Sequence, residues 1–124
     1  MILVLDRFLS TPQATFGILL AGRFGFFTQE PASCLPSGLY PIRETVEGGK
    51  TYVVGDGDQS LTVASRPTAD PLTHMFLGFD LGIMGNGNGK QLFVRDVRGA
   101  FGRFLQRMAE VEKTEITIRW LGED

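Results

Sequence analysis

The sequence predicts a mainly β (α+β) fold: one compact barrel or sandwich of about eight short strands with a single late amphipathic helix. Three observations predict it. Sixteen Gly and six Pro recur through all 124 residues instead of gathering in one linker, as short strands joined by tight turns require. Between those turn residues, apolar and polar positions tend to alternate, the period of a half-buried strand. Only one stretch, Val97–Glu112, carries its apolar residues at helical spacing.

The elements follow in order. Ile2–Phe8 is an apolar first strand. Phe16–Ala21 and Gly25–Gln29 flank Gly22, so Ile18–Phe27 reads as a hairpin turning near Ala21–Arg23. Gly38–Val46 is the fourth strand, and Pro41 within it removes a ladder donor, which places it at a sheet edge or a bulge. Thr51–Val54 and Ser60–Ala64 are set off by the turn signals Gly48-Gly49 and Gly55–Asp58. Met75–Phe79 and Gln91–Arg95 come next, and Glu115–Leu121 closes the chain with Ile116 and Ile118 on one face. In the helix, Val97, Phe101, Phe104, Leu105, Met108 and Val111 fall within an arc of about 120°. Asp96 is placed to accept a hydrogen bond from an unpaired N–H of the first turn. Arg103, Gln106, Arg107 and Glu110 fall on the opposite, solvated face.

Composition bounds the function. Residues 1–124 fit one domain, and the net charge of −2 argues against a general nucleic-acid binder. Ten Phe, with alternating apolar positions, argue against disorder. Cys34 is the only cysteine and His74 the only histidine, so neither a disulfide framework nor a His/Cys zinc site is expected. No apolar run approaches the ~20 residues of a membrane span, and Asp6 and Arg7 interrupt the apolar start, so no secretory signal is expected.

Several local patterns are weighed against plainer roles. Gly85–Gly89 (Gly-Asn-Gly-Asn-Gly) resembles an anion-binding nest, but Gln91 follows Lys90 where a Walker loop needs Ser or Thr; a flexible turn is expected. Asp56–Ser60 begins like a calcium loop, but Pro67 occupies the twelfth position, so a polar hairpin turn is expected. Glu30 closes the Phe24–Thr28 run and is the best carboxylate for acid–base work; its plain role is a strand-end ion pair. Glu110, Glu112 and Glu115 read as solvated charges. Nothing in the sequence brings Cys34 and His74 together as thiolate and base. Arg95, Arg98, Arg103 and Arg107 form a basic cluster fit for an acidic partner or for solvent. Of Phe26 and Phe27, one must face out of its strand, toward a second core layer or a partner.

Leu3–Arg7 (Leu-Val-Leu-Asp-Arg), Thr15–Leu19 (Thr-Phe-Gly-Ile-Leu), Phe26–Glu30, Leu35–Tyr40 (Leu-Pro-Ser-Gly-Leu-Tyr), the Phe101–Val111 helix and Ile116–Ile118 follow one another in a telling order. That order resembles a small domain family of unknown function found mainly in bacteriophages and bacterial genomes. The family's centre is an Ile-His-x-Gly-Asn strand end followed by Asp-Thr-x-Gly-Cys-Ile-Leu-Val-Gly. It is similar to the His and Gly-Cys core of L,D-transpeptidases, whose Cys thiolate attacks peptidoglycan stem peptides. The resemblance sets Phe79 at the His position and Lys90 at the Cys position. Phe transfers no proton, and a lysine is nucleophilic only once its ammonium is deprotonated. Losing both members of such a pair removes most of its catalytic effect.

The resemblance therefore implies a non-catalytic module on an enzyme-like fold. Its phage association implies a virion structural component, made in the host cytoplasm without a signal peptide: a capsid decoration or cement protein, or a tail or spike protein. The expected partners are other virion proteins or further copies of the chain, with no cofactor, metal, membrane or nucleic acid. Phe27, Glu30, Lys90, Arg95, Arg103 and Arg107 are the candidate binding residues, and none is assigned a catalytic role. Two alternatives stand beside it. One is a peptidoglycan-acting hydrolase or transpeptidase relative, or a cell-wall-binding module, using Glu30 or Lys90. The other is a small intracellular protein that captures a host factor through the Arg95–Arg107 cluster.

Overall fold

The computed structural model describes residues 3–86, 89–110 and 115–122. Ile2, the Gly87-Asn88 tip, Val111 and Glu112 lie outside the described residues. Among the described residues ten strands and one helix run in the order β1 (Leu3–Ser10), β2 (Ala14–Ala21), β3 (Phe24–Pro31), β4 (Gly38–Val46), β5 (Lys50–Asp56), β6 (Gln59–Val63), β7 (His74–Gly78), β8 (Asp80–Asn86), β9 (Gly89–Arg95), α1 (Val97–Met108) and β10 (Glu115–Trp120). Eight of the strands close a barrel in the order β1-β10-β4-β5-β6-β7-β3-β2, and β8 pairs only with β9. The barrel is mixed. β1 runs parallel to β10 and β6 parallel to β7, whereas the other six pairs are antiparallel.

The period of two fills the barrel. Leu3 and Leu5, Leu19 and Ala21, Phe26, Ile42, Tyr52 and Val54, Leu61 and Val63, Met75 and Leu77, and Ile116 and Ile118 are all buried in one apolar cluster. α1 adds Ala100, Phe101, Phe104 and Met108 to it. The Phe104 ring meets Phe26 and Tyr52 edge-on, with centroids 6.1 and 5.7 Å away. The helix is capped as its sequence predicts: the Asp96 carboxylate accepts from the Gly99 N–H at 3.2 Å. Asp96 itself is left-handed, with φ 61°. A Cβ on residue 99 would lie 2.6 Å from that carboxylate, so the glycine that propensity disfavours lets the Asp96 side chain sit close over the first turn. No helix among the described residues is long and apolar enough to cross a membrane.

Three expectations are corrected. Pro41 is not on an edge strand. β4 pairs β10 through Gly38–Pro41 and β5 through Ile42–Val46, so Pro41 stands where the ladder passes from one neighbour to the other. The Gly85–Gly89 stretch is not simply a flexible turn: Gly85 and Asn86 belong to β8 and Gly89 to β9, in register. β8 itself, absent from the sequence reading, makes those two strands a hairpin outside the barrel. The hairpin's root lies hard against β7. A Cβ on Gly78 would come within 2.7 Å of the Arg95 carbonyl oxygen and of the Val94 Cβ, so only glycine allows this approach. A second small cluster of Ala64, Phe76, Val94 and Val97, with Phe27 and Leu81 against it, joins the hairpin to the barrel wall.

Candidate functional site

Polar side chains gather at three places. The first is inside the barrel. Leu3, Leu5 and Arg7 share one face of β1, and Phe26, Thr28 and Glu30 share one face of β3. The inward rows thus end in a charge from each strand. Arg7 donates through Nε and Nη2 to the two Glu30 carboxylate oxygens at 3.0 and 2.8 Å, and through Nη1 to the Leu35 carbonyl at 2.6 Å. Both side chains are about 1% exposed or less, so this is a fully desolvated, bidentate pair. Burial alone would lower the proton affinity of Arg7. The Glu30 hydrogen bonds and charge outweigh that and raise it above its ordinary value. Glu30 therefore holds the plain strand-end role: its oxygens are committed to Arg7 and face no cleft.

The second place is the surface beside α1. Arg103 and Arg107 both lie over the Phe24 ring, with guanidinium carbons 4.3 and 5.1 Å from its centroid. Phe24 stacks on Phe26, and Phe26 stacks on Phe79, each at 6.1 Å between centroids. Arg107 also reaches Glu110 at 3.3 Å, so this helix face covers an aromatic row instead of standing free in water. Arg98 and Arg95 are exposed and do not join the stack. Arg95 instead grips Asp80 across the hairpin root, Nε and Nη2 donating to the two carboxylate oxygens at 2.7 and 2.8 Å. Those hydrogen bonds hold the Asp80 carboxyl below, and the Arg95 guanidinium above, their ordinary proton affinities.

The third place was missed by sequence reasoning. A cleft of about 280 Å³ between the β4–β5 turn and the β6–β7 connection is lined by Glu47, Thr51, Ser65, Arg66, Asp70 and His74 among others. His74 Nε2 lies 2.7 Å from a Glu47 carboxylate oxygen, while Nδ1 faces the Thr73 hydroxyl at 2.9 Å and the Asp70 carbonyl at 3.0 Å. This arrangement serves both protonation states. The neutral ring donates through Nε2 and accepts from Thr73; the imidazolium donates to both Glu47 and the Asp70 carbonyl. The signal for this arrangement was slight: Glu47 beside the Gly48-Gly49 turn, twenty-seven residues from His74. Cys34, half-buried in the loop before β4, does not line this cleft.

The remaining candidates scatter. Phe27 is half-buried in the second apolar cluster, so the outward member of the Phe26-Phe27 pair meets a second core layer. Lys90 is exposed on β9, above a hollow lined by Thr11, Gln13, Gln29 and Gln91. Of the six predicted residues, only Arg103 and Arg107 are brought onto a common partner. Among the described residues no three His, Cys, Asp or Glu side chains are grouped to hold a metal ion. No family model matches the chain, and no curated protein or solved structure matches it.

Proposed function

We propose that the chain is a non-catalytic structural component of a phage particle, a capsid decoration or cement protein or a tail or spike protein, on a degenerate enzyme-like fold. The observation that carries this reading is the use made of the two positions where the resembled family has its His and Cys. Phe79 is half-exposed and stacks one face on Phe26, with centroids 6.1 Å apart. Lys90 stands exposed on the outer strand of the hairpin, with no His or carboxylate bonded to it among the described residues. The two buried carboxylates, Glu30 and Asp6, are each held by an arginine, Arg7 and Arg119. A closed barrel with few free edges suits a protein that packs beside many others.

The test is quantitative mass spectrometry of purified phage-like particles, counting this chain per major capsid subunit. Near-stoichiometric amounts support decoration, and a few copies per particle support a tail or spike. Complete absence from particles overturns the reading.

A further inference from the structure

Every barrel strand pairs with a neighbour on each side over at least part of its length, whereas among the described residues β8 and β9 pair only with each other. One hydrogen bond fixes which backbone groups those edges present. The Val94 N–H donates to the Gln29 side-chain oxygen at 3.2 Å, so it points away from β8 and toward the barrel. Antiparallel ladders alternate inward and outward pairs. Val94 is opposite Leu81, so Leu81, Ile83 and Gly85 on β8 turn their N–H and C=O groups outward as well. The outer edge of β9 is thus engaged by the barrel at its root, and the outer edge of β8 is paired by no strand among the described residues.

That free edge lacks the features that keep edges apart. No charged residue and no proline occurs from Leu81 through Gly89. Ile83 and Met84, whose side chains leave the strand on opposite faces, are 65% and 57% exposed. The hairpin's charged residues lie elsewhere: Asp80 and Arg95 pair with each other at the root, and Lys90 is on β9.

We propose that β8 pairs antiparallel with β8 of a second copy of this chain, about a two-fold axis at Ile83. Two hairpins then form one four-stranded sheet, with Ile83 opposite its own copy and Leu81 opposite Gly85. The edge is self-complementary because its hydrogen-bonding residues are symmetric about Ile83, and no like charges meet across it. Such an edge-to-edge contact is small, so the dimer is reversible and concentration-dependent. It goes beyond the particle assignment and is measured on purified protein, so its failure leaves that assignment standing.

Sedimentation velocity at rising concentration is the test. The expected result is a mass that climbs from the 13.6 kDa of one chain toward twice that value. Ile83→Pro abolishes the climb, because it removes an outward N–H and leaves the β8–β9 ladder its donors; Lys50→Ala, on the exposed face of β5, leaves the climb unchanged. As a check independent of proline, Ile83→Cys in a Cys34→Ser background is joined to its copy by a short bifunctional thiol cross-linker. Directly opposed residues of a hydrogen-bonded pair have Cα atoms about 5.5 Å apart, a gap such a linker spans. Leu39→Cys, equally exposed but on β4, is not joined. A monomer at every concentration, a dimer indifferent to Ile83→Pro, or no cross-link at Ile83→Cys overturns the proposal.

Discussion

Arg7 and Glu30 decide what the barrel interior can tolerate. Two charges taken out of water are costly, and only their mutual attraction and complete hydrogen bonding offset the loss. Here both carboxylate oxygens accept from the guanidinium, and its third contact goes to the Leu35 carbonyl. The expected consequence is asymmetric. Glu30→Gln keeps the shape but leaves the Arg7 charge buried without a counter-charge, and should destabilise the fold by about 3 kcal/mol. The double variant Arg7→Met, Glu30→Leu should recover most of that loss, since it removes both desolvation costs together. Urea unfolding of the three proteins measures both changes; a Glu30→Gln loss below about 1 kcal/mol would mean that the pair is not desolvated in solution. The pair was half legible. The end of its apolar run marks Glu30 as a strand-end ion pair, but nothing in the sequence identifies Arg7 as its partner. Parity along β1 and β3 gives each a face, and only the closure of the barrel tells that the two faces are one interior.

Elements were legible where a single rule sufficed. The hairpin turning at Gly22-Arg23, the Gly57-Asp58 turn of β5–β6 and the Asp96-capped helix each follow from local chemistry, and each is present. β8 was hidden for a physical reason. Asp80–Asn86 contains two glycines and an exposed isoleucine and methionine, so it shows neither strand propensity nor alternation; pairing with β9 alone makes it a strand. Pro41 misled because a proline is tolerated inside a sheet where the strand changes neighbours. The His74 cleft was hidden because two stretches apart in sequence, Glu47–Thr51 and Val63–His74, supply its walls. What holds the hairpin's root is electrostatic as well as apolar, and that gives it a pH dependence. The Arg95 hydrogen bonds lower the proton affinity of Asp80 in the folded chain, so their contribution is fully present above the ordinary carboxylate value of about 4. It is lost as the pH falls through the lowered folded value, since the proton must displace Arg95. Both side chains are half exposed, so the effect on global stability is small and screened by salt. The expected observation is local: the Arg95 Nε–H resonance should shift only below the normal carboxylate range, and Asp80→Asn should remove that titration. A shift centred on the ordinary carboxylate value would mean the ion pair does not form.

At the scale of the whole molecule, the order of strands around the barrel sets its cooperativity. β1, at one end of the chain, pairs in parallel with β10, at the other, and both carry buried core residues in register: Leu3 with Ile116 and Leu5 with Ile118. The ring cannot close until the chain has passed through the hairpin and α1, which lie between β7 and β10 in sequence. α1 contributes to the same apolar cluster as the strands, and the hairpin root is packed on β7 through Gly78, so neither forms a separate core of its own. Opening any one seam also exposes two strand edges, which penalises partial unfolding. The chain should therefore melt in one two-state transition, as expected for one domain of 124 residues. Specific enthalpies of globular proteins put its unfolding enthalpy on the order of 90 kcal/mol near 60 °C. Scanning calorimetry at low protein concentration tests this. Agreement of the calorimetric and van't Hoff enthalpies is the expected result. An early, separate transition that Gly78→Ala enlarges would show instead that the hairpin unfolds on its own, and that the closed barrel alone is the cooperative unit.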